Sequence, residues 1–259
     1  MSEHEFKTAL TIAGSDPSGG AGIQADLRVF HAFGVYGLTV MSVITAQNFR
    51  GVQAVHCLSP EIVTEQLDVL LKDIRPHAVK TGMLYSAETV LRAAAAIKRH
   101  GLGNLVVDPV TLSSTGVPLI EEEGLTAMKE SLLPLALVMT PNIPEAGVLV
   151  GSSIESGEDM KEAAVAIQRL GPRSVIVTGG HLQGRAVDLL YDNGEFMFLE
   201  DERIDGEFHG TGCVFSAALT ACLACGDSVK ESFVRAKEFT LQAIRKAVHK
   251  GTAMGMLMF

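Results

Sequence analysis

The sequence predicts an α/β protein: a three-layer α/β/α sandwich around a mostly parallel central sheet. Short β-branched runs alternate with segments of helical period. Those runs are almost wholly apolar, as strands covered by helices on both faces must be. Length and composition complete the case. The chain has 259 residues, 47% of them hydrophobic and 20% charged, close to the globular norm of about 45–50% and about 25%, which fits one domain over 1–259.

Strands are expected at 9–13, 39–46, 78–80, 105–107, 137–139 and 175–177. Helices are expected between them at 22–33, 60–74, 87–100, 120–132 and 157–170. Asp192-Asn193-Gly194 lies between the apolar runs 186–191 and 195–199, a hairpin signal. Two late helices follow, at 213–225 and 228–250. No internal repeat or Pro/Ser-rich linker divides the chain.

Several function classes drop out. A net charge of -9 disfavours nucleic acid and anionic membranes, which require a basic face. The apolar run 214–225 is too short for a membrane helix, which needs about 18 residues. Met1-Ser2-Glu3-His4-Glu5 lacks the basic start of a secretory signal. Cys57, Cys213, Cys222 and Cys225 show no disulfide spacing. Together these point to the cytoplasm.

In such sheets, function sits just past the carboxyl ends of the strands. The segments there are Gly14 to Gly22, Gln47-Asn48, Thr81-Gly82-Met83, Asp108-Pro109-Val110, Thr140 to Glu145 and Thr178-Gly179-Gly180-His181. Gly20-x-Gly22-x-x-Ala25 imitates a dinucleotide fingerprint, but Gln47 and Asn48 stand where that reading needs a ribose-binding carboxylate. No Gly-Lys pair exists, so a Walker A loop is excluded. A loop in which Asp16, Ser18 and glycine backbone surround a small polar molecule fits better.

In His209-Gly210-Thr211-Gly212-Cys213 the glycines let successive N–H groups converge at a helix start, where the dipole favours an anion. A thiol placed there is expected to have its thiolate favoured and to take a proton from a substrate hydroxyl. A small buried residue beneath a glycine cap is the plain alternative. Asn142 and Glu145 share one face of a helix begun by Pro144. With Asp108 they can offer oxygens to a magnesium ion carrying ATP phosphates, and Asn-x-x-Glu equally fits a helix cap. Cys222-x-x-Cys225 lacks the second half of a zinc site and belongs to the core. His31, His56, His77, His100 and His249 have no partner spacing.

Taken together, these segments resemble the hydroxymethylpyrimidine/phosphomethylpyrimidine kinases of thiamin biosynthesis, in the ribokinase superfamily. The likeness spans about 8–250. It rests on Thr11 to Asp26, Ala46-Gln47-Asn48 with Arg50 to Gln53, Lys80 to Leu84, Asp108-Pro109-Val110, Thr140 to Ala146, Gly179-Gly180-His181 and His209 to Cys213.

The resemblance implies ATP- and Mg2+-dependent phosphorylation of 4-amino-5-hydroxymethyl-2-methylpyrimidine and then of its monophosphate, by a homodimer. It places Gly14, Asp16, Ala21, Gln47, Met83 and Val110 around the pyrimidine. Asn142, Thr178, Gly180 and His209 fall by the nucleotide phosphates, and Asp108 and Glu145 near the metal, directly or through water. Gly210, Thr211, Gly212 and Cys213 carry the catalysis, cysteine standing where superfamily sugar kinases have an aspartate base. A pyridoxine or pyridoxal kinase of the same fold and a noncatalytic pyrimidine-binding protein are the alternatives. The chain departs from the family at Thr178, commonly lysine; at Glu207-Phe208, commonly Asn/Asp-Thr; at Thr111, commonly Met; and in its tail, 252–259, which lacks the usual Gly-Pro.

Overall fold

A computed structural model describes residues 6–113, 116–180, 186–249 and 254–259. The expectations placed on Met1 to Glu5 and on His181 lie outside them. Nine strands form the main sheet: β1 (Thr8–Ser15), β2 (Tyr36–Asn48), β3 (Gly51–Cys57), β4 (Ala78–Thr81), β5 (Leu105–Val107), β6 (Val138–Met139), β7 (Ser174–Val177), β8 (Ala186–Asp192) and β9 (Glu195–Asp201). Their order is β3-β2-β1-β4-β5-β6-β7-β8-β9. Strands β2, β1, β4, β5, β6 and β7 run parallel. β3, β8 and β9 are added antiparallel at the two edges.

The helices are α1 (Gly22–Ala32), α2 (Pro60–Asp73), α3 (Ala87–Arg99), α4 (Glu122–Ala127), α5 (Ile143–Val150), α6 (Gly157–Gln168), α7 (Thr211–Cys225) and α8 (Val229–Arg245). Strand residues alternate between two apolar layers. Leu10, Ile12, Val79, Leu105, Val107 and Val175 pack with Val63, Val90, Ala146 and Ile167 of α2, α3, α5 and α6. Ala9, Ala78, Val106, Val138 and Ile176 pack with Phe30, Ala218 and Phe233 of α1, α7 and α8. Because α7 is sandwiched between sheet and α8, nearly all of it is buried. Its alanine-rich sequence follows from that close approach.

Beyond shifts of a few residues at element ends, four features differ from the sequence expectation. β3 was not foreseen: an edge strand can expose Gln53 and His56 to water, so it shows no continuous apolar run. The helix expected at 120–132 is α4 followed by a π-helical turn, Met128–Leu132. α8 ends at Arg245, because Val248 beyond it exchanges backbone hydrogen bonds with Met256. Lastly, β10 (Phe208–His209) pairs with β11 (Gly255–Met256) in a small separate sheet.

One charged pair lies inside the α1/α7 layer. Asp26, on the inner face of α1, meets Lys80 of β4 at 2.5 Å, both side chains fully buried. Thr11 of β1 donates to the other Asp26 oxygen at 2.6 Å. The pair staples α1 to two strands. Removing one partner leaves a buried charge uncompensated, at a cost of about 3–5 kcal/mol. Asp26→Ala is therefore expected to lose stability of that order in urea titration; a loss below about 1 kcal/mol would show that the pair does not hold the layer.

Candidate active site

β1 pairs with β2 on one side and β4 on the other, so the chain reverses direction in the sheet there. Past the carboxyl ends of these strands opens a cleft of about 740 Å³, where α/β sheets place their ligands. Of the expected site residues, Gly14, Asp16, Ala21, Gln47, Met83, Asp108, Val110, Asn142, Glu145, Thr178, Gly180, His209, Gly210, Thr211, Gly212 and Cys213 all line it.

One wall is apolar. Met83 packs with Val43 and Leu119, and Val110 lies against that cluster. Val110 has φ 43°, a left-handed conformation that strains a β-branched residue by roughly 1–3 kcal/mol. Beside this wall, a register shift between Ala46 and Gln47 re-aims the Gln47 side chain, a common use of irregular pairing near a site.

The loop 14–22 is locked around Asp16. Its carboxylate accepts from Ser18 N (2.8 Å), Ser18 Oγ (2.9 Å), Ala21 N (2.9 Å) and His209 Nε2 (2.8 Å). Burial would raise the Asp16 pKa, but these donors outweigh it and hold the group below the usual carboxylate range. With its oxygens so occupied, Asp16 shapes the pocket from behind. His209 was expected beside the nucleotide phosphates; its ring instead joins Asp16 and lies 3.1 Å from the end of the Gln47 amide. The carboxylate and amide draw the imidazole to the acceptor side.

The loop 209–213 docks directly on the loop 14–22. A Cβ on Gly210 would sit 1.9 Å from the Gly20 carbonyl oxygen, and one on Gly20 would sit 2.3 Å from the His209 ring. Gly210, at φ 82°, then starts α7. Ser or Asn side chains cap α2, α3, α5, α6 and α8. α1 and α7, whose first turns face the cleft, have no side-chain cap. The Gly22 N–H of α1 turns to the Cys213 sulfur, while the leading N–H groups of α7 stay available to an anion.

Cys213 retracts one expectation. Its thiol is pushed up to about 12, chiefly by burial and further by the Asp108 and Asp26 charges, although Lys80 pulls the other way. Desolvation of the thiolate thus works against the helix dipole and favours the thiol. Beneath it lies a polar cluster whose parts the sequence did not connect. Lys80 Nζ is 3.9 Å from Asp108 Oδ2, and Ser216 Oγ donates to that oxygen at 2.7 Å. Burial favours neutral Lys80, but the negative charge of Asp26 overrides it and raises the pKa. Burial also raises Asp108, Lys80 opposing. Lys80 and Asp26 stood within quoted motifs; nothing in their spacing announced that they meet.

Asn142 and Glu145 form the capping box that was the alternative reading: Asn142 Oδ1 accepts from Glu145 N at 2.9 Å, and Glu145 Oε2 accepts from Asn142 N at 3.0 Å. Glu145 Oε1 also takes Thr111 N at 3.1 Å. Burial, then the nearby Asp108 charge, raise Glu145 to about 8. Two carboxylates that repel each other at the edge of a cleft suit a cation arriving with its own ligands, as Mg2+ does with phosphate and water. Among the described residues no cluster of three or more His, Cys, Asp or Glu forms a complete metal cage. Thr178 supplies no cation. Close by, however, Lys237 of α8 bonds Asp188 at 2.8 Å, and Asp188 accepts from Gly179 N at 2.8 Å. The Glu207-Phe208 departure is matched in the tail: Gly255 N donates to the Glu207 carbonyl, and a Cβ on Gly255 would meet the Phe208 ring at 2.8 Å.

An acceptor pocket and an uncapped, glycine-led helix start, opening on one crevice of a doubly wound sheet, define a small-molecule kinase of ribokinase-like fold. The phosphomethylpyrimidine kinase family model matches residues 16–258, and the chain belongs to that family. It is 42% identical over 250 residues to the hydroxymethylpyrimidine/phosphomethylpyrimidine kinase of Bacillus subtilis, covering 95% of this chain and 92% of that one. It is 45% identical to the thiamine biosynthesis bifunctional protein ThiED of Geobacter sulfurreducens, covering 96% of this chain but only 51% of that longer protein. Among solved structures, the ADP complex of Bacillus subtilis pyridoxal kinase matches with a TM-score of 0.89 at 42% identity, over 97% of this chain and 96% of that one.

Two outcomes follow from this geometry. Iodoacetamide labelling of Cys213, followed peptide by peptide by mass spectrometry, should keep accelerating beyond pH 9; a plateau near pH 7 would mean a resident thiolate. Gly210→Ala should displace the catalytic loop and lower kcat by at least about tenfold, because its Cβ would overlap the Gly20 backbone and its φ strains any other residue; unchanged steady-state kinetics would contradict the docking.

Proposed function

We propose that the chain transfers the γ-phosphoryl group of ATP to the hydroxymethyl oxygen of 4-amino-5-hydroxymethyl-2-methylpyrimidine, and then a second one to the monophosphate so formed. The observation that carries this reading is the uncapped start of α7, ending on Cys213, set in the same cleft as Gly14, Gln47, Met83 and Val110. The apolar wall takes the flat ring, and Gln47 takes a polar edge of it.

Phosphoryl transfer is mostly positioning and electrostatic stabilisation. The N–H groups of 211–213 hold the transferring phosphoryl oxygens as its bond to ADP breaks and its bond to the acceptor oxygen forms. In a loose transition state the acceptor keeps its proton until bond formation is advanced, so a neutral thiol suffices to hold that hydroxyl in line while the proton passes to an oxygen of the transferred phosphoryl group. Lys80 keeps the floor beneath from becoming a field of bare negative charge. Asp108 and Glu145 would hold Mg2+, through water, where it supplies positive charge to the phosphates. Lys237, joined through Asp188 to Gly179, stands on the nucleotide side near Thr178. A homodimer in the cytoplasm is part of the same proposal; no helix among the described residues is long and apolar enough to cross a membrane.

Pyridoxal as an acceptor is the second reading, favoured by the 42% identity to a pyridoxal kinase. The deciding experiment incubates the protein with Mg-ATP and, separately, the pyrimidine alcohol, its monophosphate and pyridoxal, and identifies products by mass. Both pyrimidine products are expected. Phosphorylation of pyridoxal alone would favour the second reading, and no product from any acceptor would sink the kinase assignment. Cys213→Ala is expected to lower kcat by about 10²–10³ with the pyrimidine Kd nearly unchanged; wild-type turnover would remove Cys213 from the mechanism.

A further inference from the structure

The Gln47 amide has two ends of the same shape, so its partners decide which end is oxygen. One end lies 3.1 Å from His209 Nε2 and the other 3.2 Å from Thr45 Oγ1. His209 Nε2 is also 2.8 Å from Asp16 Oδ2. That oxygen already accepts from Ser18 Oγ and Ala21 N, and an ionised carboxylate can only accept. His209 Nε2 must therefore carry a hydrogen, whatever the charge of the ring. An N–H at this nitrogen cannot accept from an NH2 group, so the Gln47 end facing it is the carbonyl oxygen, which shares the single Nε2 hydrogen with Asp16 Oδ2 in a three-centre contact.

The other end then closes without conflict. Gln47 NH2 faces Thr45 Oγ1 and donates to it, while the single Thr45 hydroxyl hydrogen goes to the Ser15 carbonyl at 2.9 Å. With the amide turned the other way, two N–H groups would oppose each other at His209, and Thr45 would need its one hydrogen twice. His209 is itself held in place. Its side chain is buried with Asp16, its backbone pairs with Met256, and the Gly20 backbone closes on its ring so tightly that no Cβ fits between.

So oriented, Gln47 keeps one carbonyl lone pair and one N–H for the cleft it lines. Side by side, an acceptor and a donor complement an amino group next to an unprotonated ring nitrogen. Pyridoxal, whose neighbouring ring substituents are a phenol and an aldehyde, offers no such edge.

We propose that His209 is a specificity-determining positioning residue: through its Nε2–H it fixes the Gln47 amide so that the cleft selects acceptors bearing an amino group beside a ring nitrogen. The inference rests on the kinase reading above and deepens it.

The test measures Kd by calorimetry and KM by coupled assay, for the aminopyrimidine alcohol and for pyridoxal, in wild-type protein and in His209→Gln, His209→Asn and His209→Leu. Glutamine can place an N–H where Nε2 stands; asparagine places one nearer Nδ1, and leucine places none. The leucine and asparagine variants should weaken aminopyrimidine binding roughly tenfold, the effect of one lost hydrogen bond. Pyridoxal binding should change less than about twofold, and glutamine should restore the preference. Equal losses for both acceptors, or none, would overturn the role. A second measurement needs no variant: 15N spectra of histidine-labelled wild-type protein should show His209 Nε2 protonated, and an Nδ1–H tautomer with bare Nε2 would overturn the inference. If wild-type protein fails to phosphorylate the aminopyrimidine at all, the kinase reading falls instead; activity together with the wrong tautomer sinks only the part assigned to His209.

Discussion

The site is organised over one buried cation. Lys80 emerges from β4 wholly inside the protein, in contact with Asp26 of α1 and within 3.9 Å of Asp108 past β5. Asp108 in turn holds Ser216 of α7, one turn beyond Cys213. A single ammonium thus sits where α1, α7 and two strand ends converge. Burying an ion is expensive unless partners surround it, so this point tolerates little rearrangement. The segment past β5 and helices α1 and α7, which all border the cleft, are tied to it directly or through Asp108.

Glycine geometry does the corresponding work at the acceptor end. Gly20, Gly22 and Gly210 let three backbone segments approach more closely than any side chain allows. The loop 14–22 and the loop 209–213 therefore touch backbone to backbone. Asp16, His209 and Gln47 extend that contact into side-chain hydrogen bonds. Positive φ at Val110 stores strain at the apolar wall in the same cleft. A phosphoryl group and an alcohol must meet in line, and a rigid coupling of their two cradles serves that need better than contacts made by mobile side chains.

Much of this was legible in the sequence. Six parallel strands announced themselves because strands buried on both faces are nearly pure Val, Ile and Leu, and the strand-end segments named the cleft. β3 and the β10–β11 pair escaped because edge pairing leaves half of each strand polar and depends on partners far away in the chain. The thiol of Cys213 was misread for a related reason. Its helix position is local and visible, but the burial that governs its protonation comes from β1, β4 and α1 packing around it. The Asp26–Lys80 contact spans 54 positions, beyond the reach of any spacing rule. Glu207-Phe208, which looked like a defect in the motif, is balanced by Gly255 in the equally unusual tail.

The central claim is that the Lys80 charge, beyond its structural part, shapes the field under Cys213 and Asp108. It is tested most directly by single-turnover phosphoryl transfer in the double variant Asp26→Asn, Lys80→Met, which replaces the ion pair with neutral groups of similar volume and leaves Asp108, already raised by burial, to take up a proton. The account predicts a folded protein with near wild-type thermal stability and ATP affinity, but a transfer step slower by about tenfold or more, the effect of roughly 1.4 kcal/mol of lost stabilisation. A folded double variant that transfers phosphate at the wild-type rate would contradict it.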